Sequence, residues 1–384
     1  MDIRHYFDAV DFSKYNNTSS FSWKYSMGER IEKTTAGLSV EDIRSLDIAI
    51  IGAPFDSKAE TSVNEAPDKI RKALYQLSKL NSSKKIADFG NLKAASSLKG
   101  NYQAMRDIVD YFKELNIVTV VIGGSQDLTV GASEAFRSDL YFSLTVVDAF
   151  LDIKKGKEAL NSKNFLSQIF SRQPNIFQFN LIGFQSHYVA FEYLSKVKGI
   201  NHHLRLGQLR ENFSSAEPVF RNTDILSFDI GSIIHSEAPG TDHFSPNGLR
   251  SEEACQLAKY AGMSTRIKFF GLFGLSTEND RNDITAKLSA QIIWYFLEGF
   301  SNQVQENPEI NEDFKVYQVE VKNIDHPIVF VKSLITDRWW VQVPITGNES
   351  KYFACSEKEY EIASNNEIPE LWLKYIQKSD EILK

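Results

Sequence analysis

The chain has 384 residues, with 43 Lys and Arg against 50 Asp and Glu, which gives a formal net charge of −7. This length allows a large α/β core with a small additional unit, and the acidic balance argues against nonspecific binding to nucleic acid or anionic lipid. The N-terminal residues lack the apolar stretch of a signal peptide, and no segment approaches the ~20 apolar residues of a membrane span. We therefore expect a cytoplasmic protein that has no membrane span and binds no nucleic acid.

The aromatic, cysteine and histidine residues indicate a globular protein with a reduced interior. The 27 Phe and 15 Tyr residues supply apolar side chains for a core. Cys255 and Cys355 are far apart in the sequence and form no disulfide framework, so we interpret both as reduced structural thiols. His202 and His203 lie in a polar segment, where we expect both to be solvated.

Strand and helix patterns alternate along the chain from residue 47 to residue 300. An N-terminal arm, residues 1–45, precedes them and includes one predicted helix at residues 39–45. Such alternation predicts a three-layer α/β/α fold with a mainly parallel sheet, in which helices cover both faces. The predicted strands are residues 47–51, 86–88, 117–122, 144–147, 176–182, 224–230 and 267–275, and the predicted helices are residues 67–78, 102–114, 164–170, 189–196, 251–261 and 285–300.

The character of the sequence changes beyond Gly299, and residues 301–313 form a polar and acidic connector. We therefore divide the chain into the arm (1–45), an α/β domain (46–301) and a small α+β C-terminal extension (302–384). The extension is predicted to contain strands at residues 316–321, 328–333 and 339–343, and a final helix at residues 357–362 or 369–377.

Two adjacent tryptophans in the extension, Trp339 and Trp340, lie on a predicted strand. Successive side chains of a strand point to opposite faces. One tryptophan is therefore expected to face the core of the extension, and the other to face the main domain or a protein partner.

Acidic side chains follow two of the predicted buried strands at the point where each strand ends. Asp148 and Asp152 flank one strand end, and Asp229 lies at another. Ligands bind at the carboxyl ends of strands in open parallel sheets, and three carboxylates there suit a hard cation such as Mg²⁺, Mn²⁺ or Ca²⁺. Gln126, in the turn after a third strand, offers a neutral oxygen. Asp at such positions also commonly caps the following turn. These residues alone are therefore compatible with either a metal site or simple capping.

Three segments contain the turns at the predicted strand ends: GGSQD, VVDAFLD and SFDIGSIIHSEAPGTDHFSPNGL. Their order and spacing resemble those of the signatures of the ureohydrolase superfamily, which includes arginase, agmatinase and formimidoylglutamase. They resemble the family patterns G-G-D-H-S, D-A-H-x-D and S-x-D-x-D-x-x-D-P-x-x-A-P-G. The resemblance extends over residues 46–300 through IGAPFD, APDKIRKALYQL and TAKLSAQIIWYFLEGF. The sequence most closely resembles bacterial formimidoylglutamase-like proteins, through segments such as IGGSQDLT, SPNG, EEACQLAKYAGMS and DRWW.

The resemblance implies a site in which three ligand positions have changed. In active members, two Mn²⁺ ions are held by two His and four Asp, and a bridging hydroxide attacks the carbon of an amidine or guanidine. The two His positions correspond here to Gln126 and Phe150, and one Asp position corresponds to Gly231. The Glu that binds the substrate's guanidinium in relatives corresponds to Gly274. These changes predict that the two-metal hydrolytic site is lost.

The resemblance leaves one set of metal ligands, which are all oxygen donors: Gln126, Asp148, Asp152 and Asp229. Such a set suits a single divalent cation, Mn²⁺, Mg²⁺ or Ca²⁺. The alternative is that no metal binds and that a Lys or Arg neutralises the three carboxylates. His235 and His243 belong to the loop that should rim this site, within reach of a ligand.

Two functions follow from the resemblance. The first is a degenerate ureohydrolase-fold protein without two-metal amidine hydrolysis, which acts as a binding, scaffold or regulatory protein. The second is an active formimidoylglutamase-like hydrolase of linear amidines that uses a single metal. A protein partner that binds through the C-terminal extension is a third hypothesis. A homo-oligomer is compatible with the resemblance, since relatives are often trimers or hexamers.

Overall fold

The computed structural model of the chain describes residues 3–8, 10–15, 22–34, 39–55, 64–154, 158–194, 197, 200–309, 311–345 and 350–382. Within these ranges, ten strands form a main sheet and four form a second sheet. The strands of the main sheet are β1 (Phe7–Asp8), β2 (Glu32–Lys33), β3 (Ile48–Gly52), β4 (Ile86–Leu92), β5 (Val118–Ile122), β6 (Phe142–Val147), β7 (Ile176–Phe184), β8 (Ile200–Arg205), β9 (Ile225–Asp229) and β10 (Phe269–Phe273). Those of the second sheet are β11 (Phe314–Val319), β12 (Ile328–Ser333), β13 (Trp339–Pro344) and β14 (Ser350–Cys355).

The described helices connect and cover these strands. Most follow a strand in the order expected for a parallel sheet. They are α1 (Met27–Arg30), α2 (Val40–Arg44), α3 (Ala66–Leu74), α4 (Leu98–Glu114), α5 (Thr129–Glu134), α6 (Phe165–Arg172), α7 (Phe191–Leu194), α8 (Leu206–Glu211), α9 (Ala216–Arg221), α10 (Ser251–Gly262), α11 (Ile284–Ser301), α12 (Glu357–Ser364) and α13 (Glu370–Ile382).

The main sheet is almost entirely parallel. Its strand order is β1-β4-β3-β5-β10-β9-β6-β7-β8, with β2 also paired to β4. Only β1 runs antiparallel to its neighbour among the described pairs of this sheet. Strands β5, β10, β9 and β6 are neighbours in this order, so the loops that follow them emerge side by side at one edge of the sheet.

Separate hydrophobic cores lie on the two faces of the main sheet. In β3, Ile48 and Ile50 belong to one core, whereas Ala49 and Ile51 belong to the other, because successive side chains point to opposite faces. Helices α3, α10 and α11 supply the first core, and α4, α5 and α6 supply the second. Burial on both faces explains why the strands are nearly continuous apolar runs. This architecture confirms the predicted α/β/α fold with a mainly parallel sheet.

The N-terminal residues contribute to the main body. Strands β1 and β2 both pair with β4. The rings of Phe12 and Tyr15 lie 6.4 and 5.7 Å from that of Tyr75, in the first core. The predicted helix forms as α2, and Ser39 caps it by accepting a hydrogen bond from the Asp42 amide at 3.1 Å. The aromatic residues of this region therefore cover the main domain, although their sequence shows no period.

The C-terminal extension confirms the small α+β unit that the sequence predicts. Strands β11 to β14 form an antiparallel sheet, and both alternatives for the final helix are present, as α12 and α13. Strand β14 was not predicted. Phe177 of β7 is fully buried in the core of this extension. The extension therefore packs directly on the main domain.

Polar contacts join the extension to the end of α9. Arg221 donates hydrogen bonds to the carbonyl oxygens of Trp339 and Cys355 at 3.2 and 3.1 Å. Trp340 lies 4.6 Å beneath the same guanidinium, so it faces the main domain as one of the two predicted alternatives requires. Both tryptophans are buried within this chain. The indole surfaces that suggested a protein partner are therefore covered by the protein itself.

The prediction that His202 and His203 are both solvated is wrong for His202. Both residues belong to the unpredicted strand β8, at the edge of the main sheet. His203 is exposed, whereas His202 is partly buried. Burial and the nearby Lys374 lower the pKa of His202 to about 4. None of the described helices combines the length and apolar character that a membrane crossing requires.

Candidate ligand-binding site

A cavity of about 330 Å³ opens at the carboxyl ends of β5, β6, β9 and β10. These strands are neighbours in the main sheet, and ligands bind in the crevice outside the carboxyl ends of strands in open α/β sheets. The turns after the four strands contribute most of its wall. The lining residues are Gly124, Ser125, Gln126, Phe150, Leu151, Asp152, Ile153, Lys154, Ser162, Lys163, Asp229, Gly231, Thr241, Asp242, His243, Gly274 and Ser276.

The turn after β5 depends on two glycines. Gly123 and Gly124 have φ angles of +78° and +76°, which L side chains rarely adopt. A Cβ at position 124 would also lie 2.8 Å from Leu128 Cδ1 and 3.0 Å from Ala53 Cβ. The chain can therefore turn sharply here and direct the next residues towards the cavity.

Gln126 lies in the cavity wall and is held there by its neighbour Asp127. The Asp127 carboxylate is buried and accepts hydrogen bonds from the hydroxyl groups of Tyr102 and Ser125. Gln126 is only 2% exposed, and neither its Oε1 nor its Nε2 has a hydrogen-bond partner among the described residues. The wall thus contains a buried amide whose hydrogen-bonding capacity is unused.

Two of the three strand-end carboxylates cap the turns that follow them. Asp148 Oδ1 accepts a hydrogen bond from the Phe150 amide at 2.9 Å, and Asp229 Oδ1 accepts one from the Gly231 amide at 2.8 Å. Asp148 Oδ2 is buried and accepts no hydrogen bond from an amide, hydroxyl or basic group of the described residues; its side-chain hydrogen bond is with the Asp152 carboxyl group. Capping therefore accounts for one carboxylate oxygen of Asp148 and one of Asp229, and it leaves the second oxygen of each residue without a capping role.

The structure brings all three carboxyl groups close enough to interact electrostatically. Burial, together with Asp152 and Asp229, raises the pKa of Asp148 well above its usual range. Burial also raises the pKa of Asp152 to about 7, although a hydrogen bond with Asp148 acts in the opposite direction. The pKa of Asp229 rises to about 6 because of burial and the nearby Asp242. Burial thus favours the protonated form of Asp152 below a pH of about 7 and that of Asp229 below about 6.

Basic residues stand near the carboxylates without pairing to them. Lys163 and Lys154 line the cavity and lower the pKa of Asp152 from a distance. Lys154 forms its ion pair with Glu158, at 3.2 Å. No ion pair of the described residues involves Asp148, Asp152 or Asp229, so the direct neutralisation by Lys or Arg that the sequence allowed is not observed in this part of the chain.

Phe150 belongs to an aromatic cluster at one side of the cavity. Its ring is stacked on Tyr188, with ring centroids 4.7 Å apart, and meets the edge of His243 at 4.7 Å. Phe150 and His243 both line the cavity. Burial lowers the pKa of His243, and the nearby Lys163 and His187 lower it further, so the neutral ring is favoured at pH 7.

The two histidines expected at the rim differ in position. His243 lies in the wall, and its Nε2 is buried without a hydrogen-bond partner among the described residues. His235 is not one of the lining residues and instead packs against Phe244, with ring centroids 5.0 Å apart. Only His243 is therefore placed to contact a ligand in this cavity.

Gly231 and Gly274 both line the cavity, next to Asp229. Gly274 has a φ of +85°, and a Cβ there would lie 2.3 Å from Asp229 Oδ1. A Cβ at Gly231 would lie 3.2 Å from the same oxygen. The two positions at which the resemblance implies missing carboxylates thus differ in how well they accept a side chain.

The donors present do not match the two-metal centre that the resemblance describes. Within the ranges that the structure describes, no group of three or more His, Cys, Asp or Glu side chains is arranged to hold a metal ion. Position 150 carries an apolar ring and position 231 carries no side chain. Gln126 Oε1 and His243 Nε2 are buried in the cavity wall as potential ligand atoms, and neither has a hydrogen-bond partner among the described residues.

Several residues of this site were not predicted from the sequence. Lys163, Thr241 and Asp242 line the cavity from loops, and Tyr188 supports Phe150 from outside the wall. The loops that follow strand ends form the crevice of an α/β sheet, so charged residues in those loops were the available signal. Tyr188 had no such signal, because its contact depends on how separate loops fold together.

Comparison with known proteins identifies similar sequences over the α/β domain. The family model described as "Arginase family" matches residues 46–298. Formimidoylglutamase of Streptococcus gordonii is 22% identical over 289 residues, which cover 68% of this chain and 86% of that protein. Formimidoylglutamase of Salmonella heidelberg is 21% identical over 267 residues, which cover 64% and 83% of the two chains.

Solved structures share the fold of this domain. The Trypanosoma cruzi formiminoglutamase crystallised with Mn²⁺ has a TM-score of 0.62 at 20% identity, and the match covers 70% of this chain and 97% of that one. The formimidoylglutamase of Bacillus subtilis has a TM-score of 0.64 at 16% identity, with coverage of 75% and 95%. Both matches extend over nearly the full length of the known structure, whereas part of this chain lies outside them.

Proposed function

Because this chain belongs to the arginase family, we propose that it is a member that binds a small ligand in the cavity without two-metal hydrolysis of an amidine. The observation that supports this proposal most strongly is the position and packing of the Phe150 ring. Its ring occupies a position that the resemblance assigns to a metal-binding His, and it is packed between Tyr188 and His243. An apolar ring in this place offers no lone pair to a metal.

The substitutions at the other two ligand positions support the same proposal. Gln126 replaces an imidazole with a neutral amide, which is a weaker ligand for a transition metal. Gly231 supplies no carboxylate. Without a second metal, a bridging hydroxide has no pair of cations to lower its pKa. The cavity nevertheless persists, with charged and polar groups at its wall, which suits binding.

The second candidate is a hydrolase of linear amidines that uses a single divalent cation. Its support is that similar proteins are named formimidoylglutamase and that Asp148, Asp152 and Asp229 lie together at the strand ends. Gln126 could complete such a set with Oε1, which has no hydrogen-bond partner among the described residues. Mn²⁺, Mg²⁺ or Ca²⁺ would each suit these oxygen donors.

Hydrolysis assays separate the two candidates. The purified full chain is incubated with N-formimidoyl-L-glutamate, L-arginine or agmatine in the presence of Mn²⁺, Mg²⁺ or Ca²⁺, and formamide or urea is measured. We expect no release above that of an Asp148→Asn variant. Release by the wild-type chain that Asp148→Asn abolishes would establish the hydrolase instead.

A further inference from the structure

The buried amide of Gln126 indicates what kind of ligand the cavity accepts. An unpaired buried polar group costs about 1–3 kcal/mol, so a structure rarely retains one without a partner. Gln126 is 2% exposed, lies in the cavity wall and has neither Oε1 nor Nε2 paired with a described residue. Since both atoms are unpaired, either orientation of the amide offers one donor and one acceptor.

The surroundings of Gln126 add acceptors and a flat apolar surface. Asp152 and Asp229 line the same cavity with carboxyl groups, and neither forms an ion pair among the described contacts. The partly exposed ring of Phe150 lines it from another side. A complementary ligand group is therefore planar, donates N–H hydrogen bonds to carboxylates and accepts one from an amide.

The hydrogen-bonding pattern separates two similar ligand groups. A guanidinium carries N–H donors and no acceptor, so it would leave the Nε2 group of Gln126 without a partner. A ureido or carboxamide group has the same planar shape but replaces one nitrogen with a carbonyl oxygen. A site that hydrogen-bonds a specific group discriminates strongly against an analogue that leaves a buried partner unpaired.

We propose that the cavity binds its ligand through a neutral ureido or carboxamide group, which accepts a hydrogen bond from Gln126 Nε2 and donates to Asp152 and Asp229. This proposal rests on the non-hydrolytic function above and names the ligand class of that site. The hydrogen bonds from Tyr102 and Ser125 to Asp127 hold the turn in place, so Gln126 is positioned before a ligand arrives.

Two pairs of matched probes test the proposal by calorimetry on the metal-free full chain. L-citrulline and N-carbamoylputrescine carry the ureido group, and L-arginine and agmatine carry the guanidinium on the same carbon skeletons. We expect each ureido probe to bind about tenfold more tightly than its guanidinium counterpart. Equal affinities, tighter binding of the guanidinium probes, or no binding of either ureido probe would overturn the proposal.

Substitution of Gln126 shows whether this residue sets the preference. Gln126→Glu keeps the shape and replaces the N–H donor with an acceptor, so the preference should reverse towards arginine. Gln126→Leu removes both groups and should abolish the preference. Gln173→Leu is the matched control, because Gln173 is also 2% exposed and unpaired among described residues but does not line the cavity.

Thermal melting of each variant shows whether it is folded before binding is measured. The wild-type comparison needs no variant, so the proposal can fail even if every substitution disrupts folding. Urea release from L-arginine during the titration would contradict the non-hydrolytic function. Absence of a ureido preference without urea release would contradict only the ligand class.

Discussion

Gly274 and Asp229 are so close that a Cβ on residue 274 would lie 2.3 Å from Asp229 Oδ1. Gly274 also has a φ of +85°, and its amide donates a hydrogen bond to the Gly124 carbonyl oxygen at 3.0 Å. This glycine joins the turns after β5 and β10 while leaving room for the Asp229 carboxylate. A substrate-binding carboxylate at position 274 and the present arrangement of Asp229 are therefore mutually exclusive.

Gly274→Ala should destabilise the protein by at least about 1–2 kcal/mol, because an L side chain at positive φ is strained and the new Cβ overlaps Asp229. Urea-induced unfolding measures the change. Gly207→Ala is the control, since a Cβ there would meet nothing within 4 Å in the helix α8. That variant should be neutral or more stable. Equal stabilities of the two variants would contradict this account of Gly274.

The pH dependence of stability should reflect the elevated pKa of Asp152. The pKa rises from 3.8 in a model peptide to about 7 in the folded chain, so the folded state binds more protons than the unfolded state between these values. The free energy of unfolding contributed by this group is therefore greatest below pH 4 and is lost as the pH rises towards 7. Asp229, with a pKa of about 6, acts in the same direction.

Asp152→Asn removes this titration without adding charge. The variant should be more stable than the wild type at pH 7.5 in the absence of ligand, and the difference should shrink at pH 5. Urea titrations at the two pH values measure it. Asp337→Asn, at an exposed residue that pairs with Lys332, controls for general effects of charge. A wild type that gains stability between pH 5 and 7.5 relative to Asp152→Asn would contradict the predicted sign.

Restoring the three changed ligand positions should restore metal binding without hydrolysis. The triple variant Gln126→His, Phe150→His, Gly231→Asp supplies two imidazoles and one carboxylate. At position 231 the new Cβ would lie 3.2 Å from Asp229 Oδ1, which a small shift of that side chain can relieve. We expect a gain in bound Mn²⁺, measured by dialysis and elemental analysis, but no release of formamide. Loss of Phe150 removes its stacking on Tyr188, so melting curves should precede the metal measurement.

The C-terminal extension should be required for stability of the main domain. Asn222 accepts a hydrogen bond from the Ala354 amide at 2.8 Å and donates to the Ala354 carbonyl and the Tyr375 hydroxyl at 2.9 and 3.3 Å. Asn222→Ala leaves these buried groups unpaired and should cost about 1–3 kcal/mol. Gln208→Ala, on the exposed side of α8, should change stability by less than about 0.5 kcal/mol.

Deletion of residues 302–384 tests the same dependence more severely. The deletion would expose Phe177, which is fully buried against the extension. We expect a chain that aggregates or loses cooperative unfolding, as followed by gel filtration and urea titration. A monodisperse fragment that unfolds cooperatively would show that the extension is a separable unit. That result would favour the hypothesis that the extension binds a protein partner.

The sequence predicted the strands that are buried on both faces of the main sheet and a helix that begins at a capping residue. Strands such as β3 are continuous apolar runs, and α2 begins at the Ser39 cap, so local chemistry identifies both. The strand β8 was missed because an edge strand with the sequence INHHLR lacks the apolar pattern. Strand β14 pairs antiparallel with the preceding strand β13, but it was missed because its residues SKYFAC lack the apolar and polar alternation of a half-buried strand.

The location of the site was predictable from the sequence, but the contacts between its loops were not. The acidic residues at strand ends identified the cavity, because topology alone brings the ends of parallel strands together. The stacking of Phe150 on Tyr188, the separation of His243 from His235, and the approach of Lys163 to Asp152 depend on the conformations of separate loops. Such contacts have no local pattern in the sequence.

The stoichiometry of Mn²⁺ bound to the wild-type full chain tests most directly whether the two-metal site is lost. It is measured by equilibrium dialysis against Mn²⁺ followed by elemental analysis, with the Asp148→Asn variant as the reference. We expect that the chain does not bind a pair of Mn²⁺ ions, because Phe150 and Gly231 supply no ligands. Two equivalents of Mn²⁺ per chain, lost in Asp148→Asn, would contradict it.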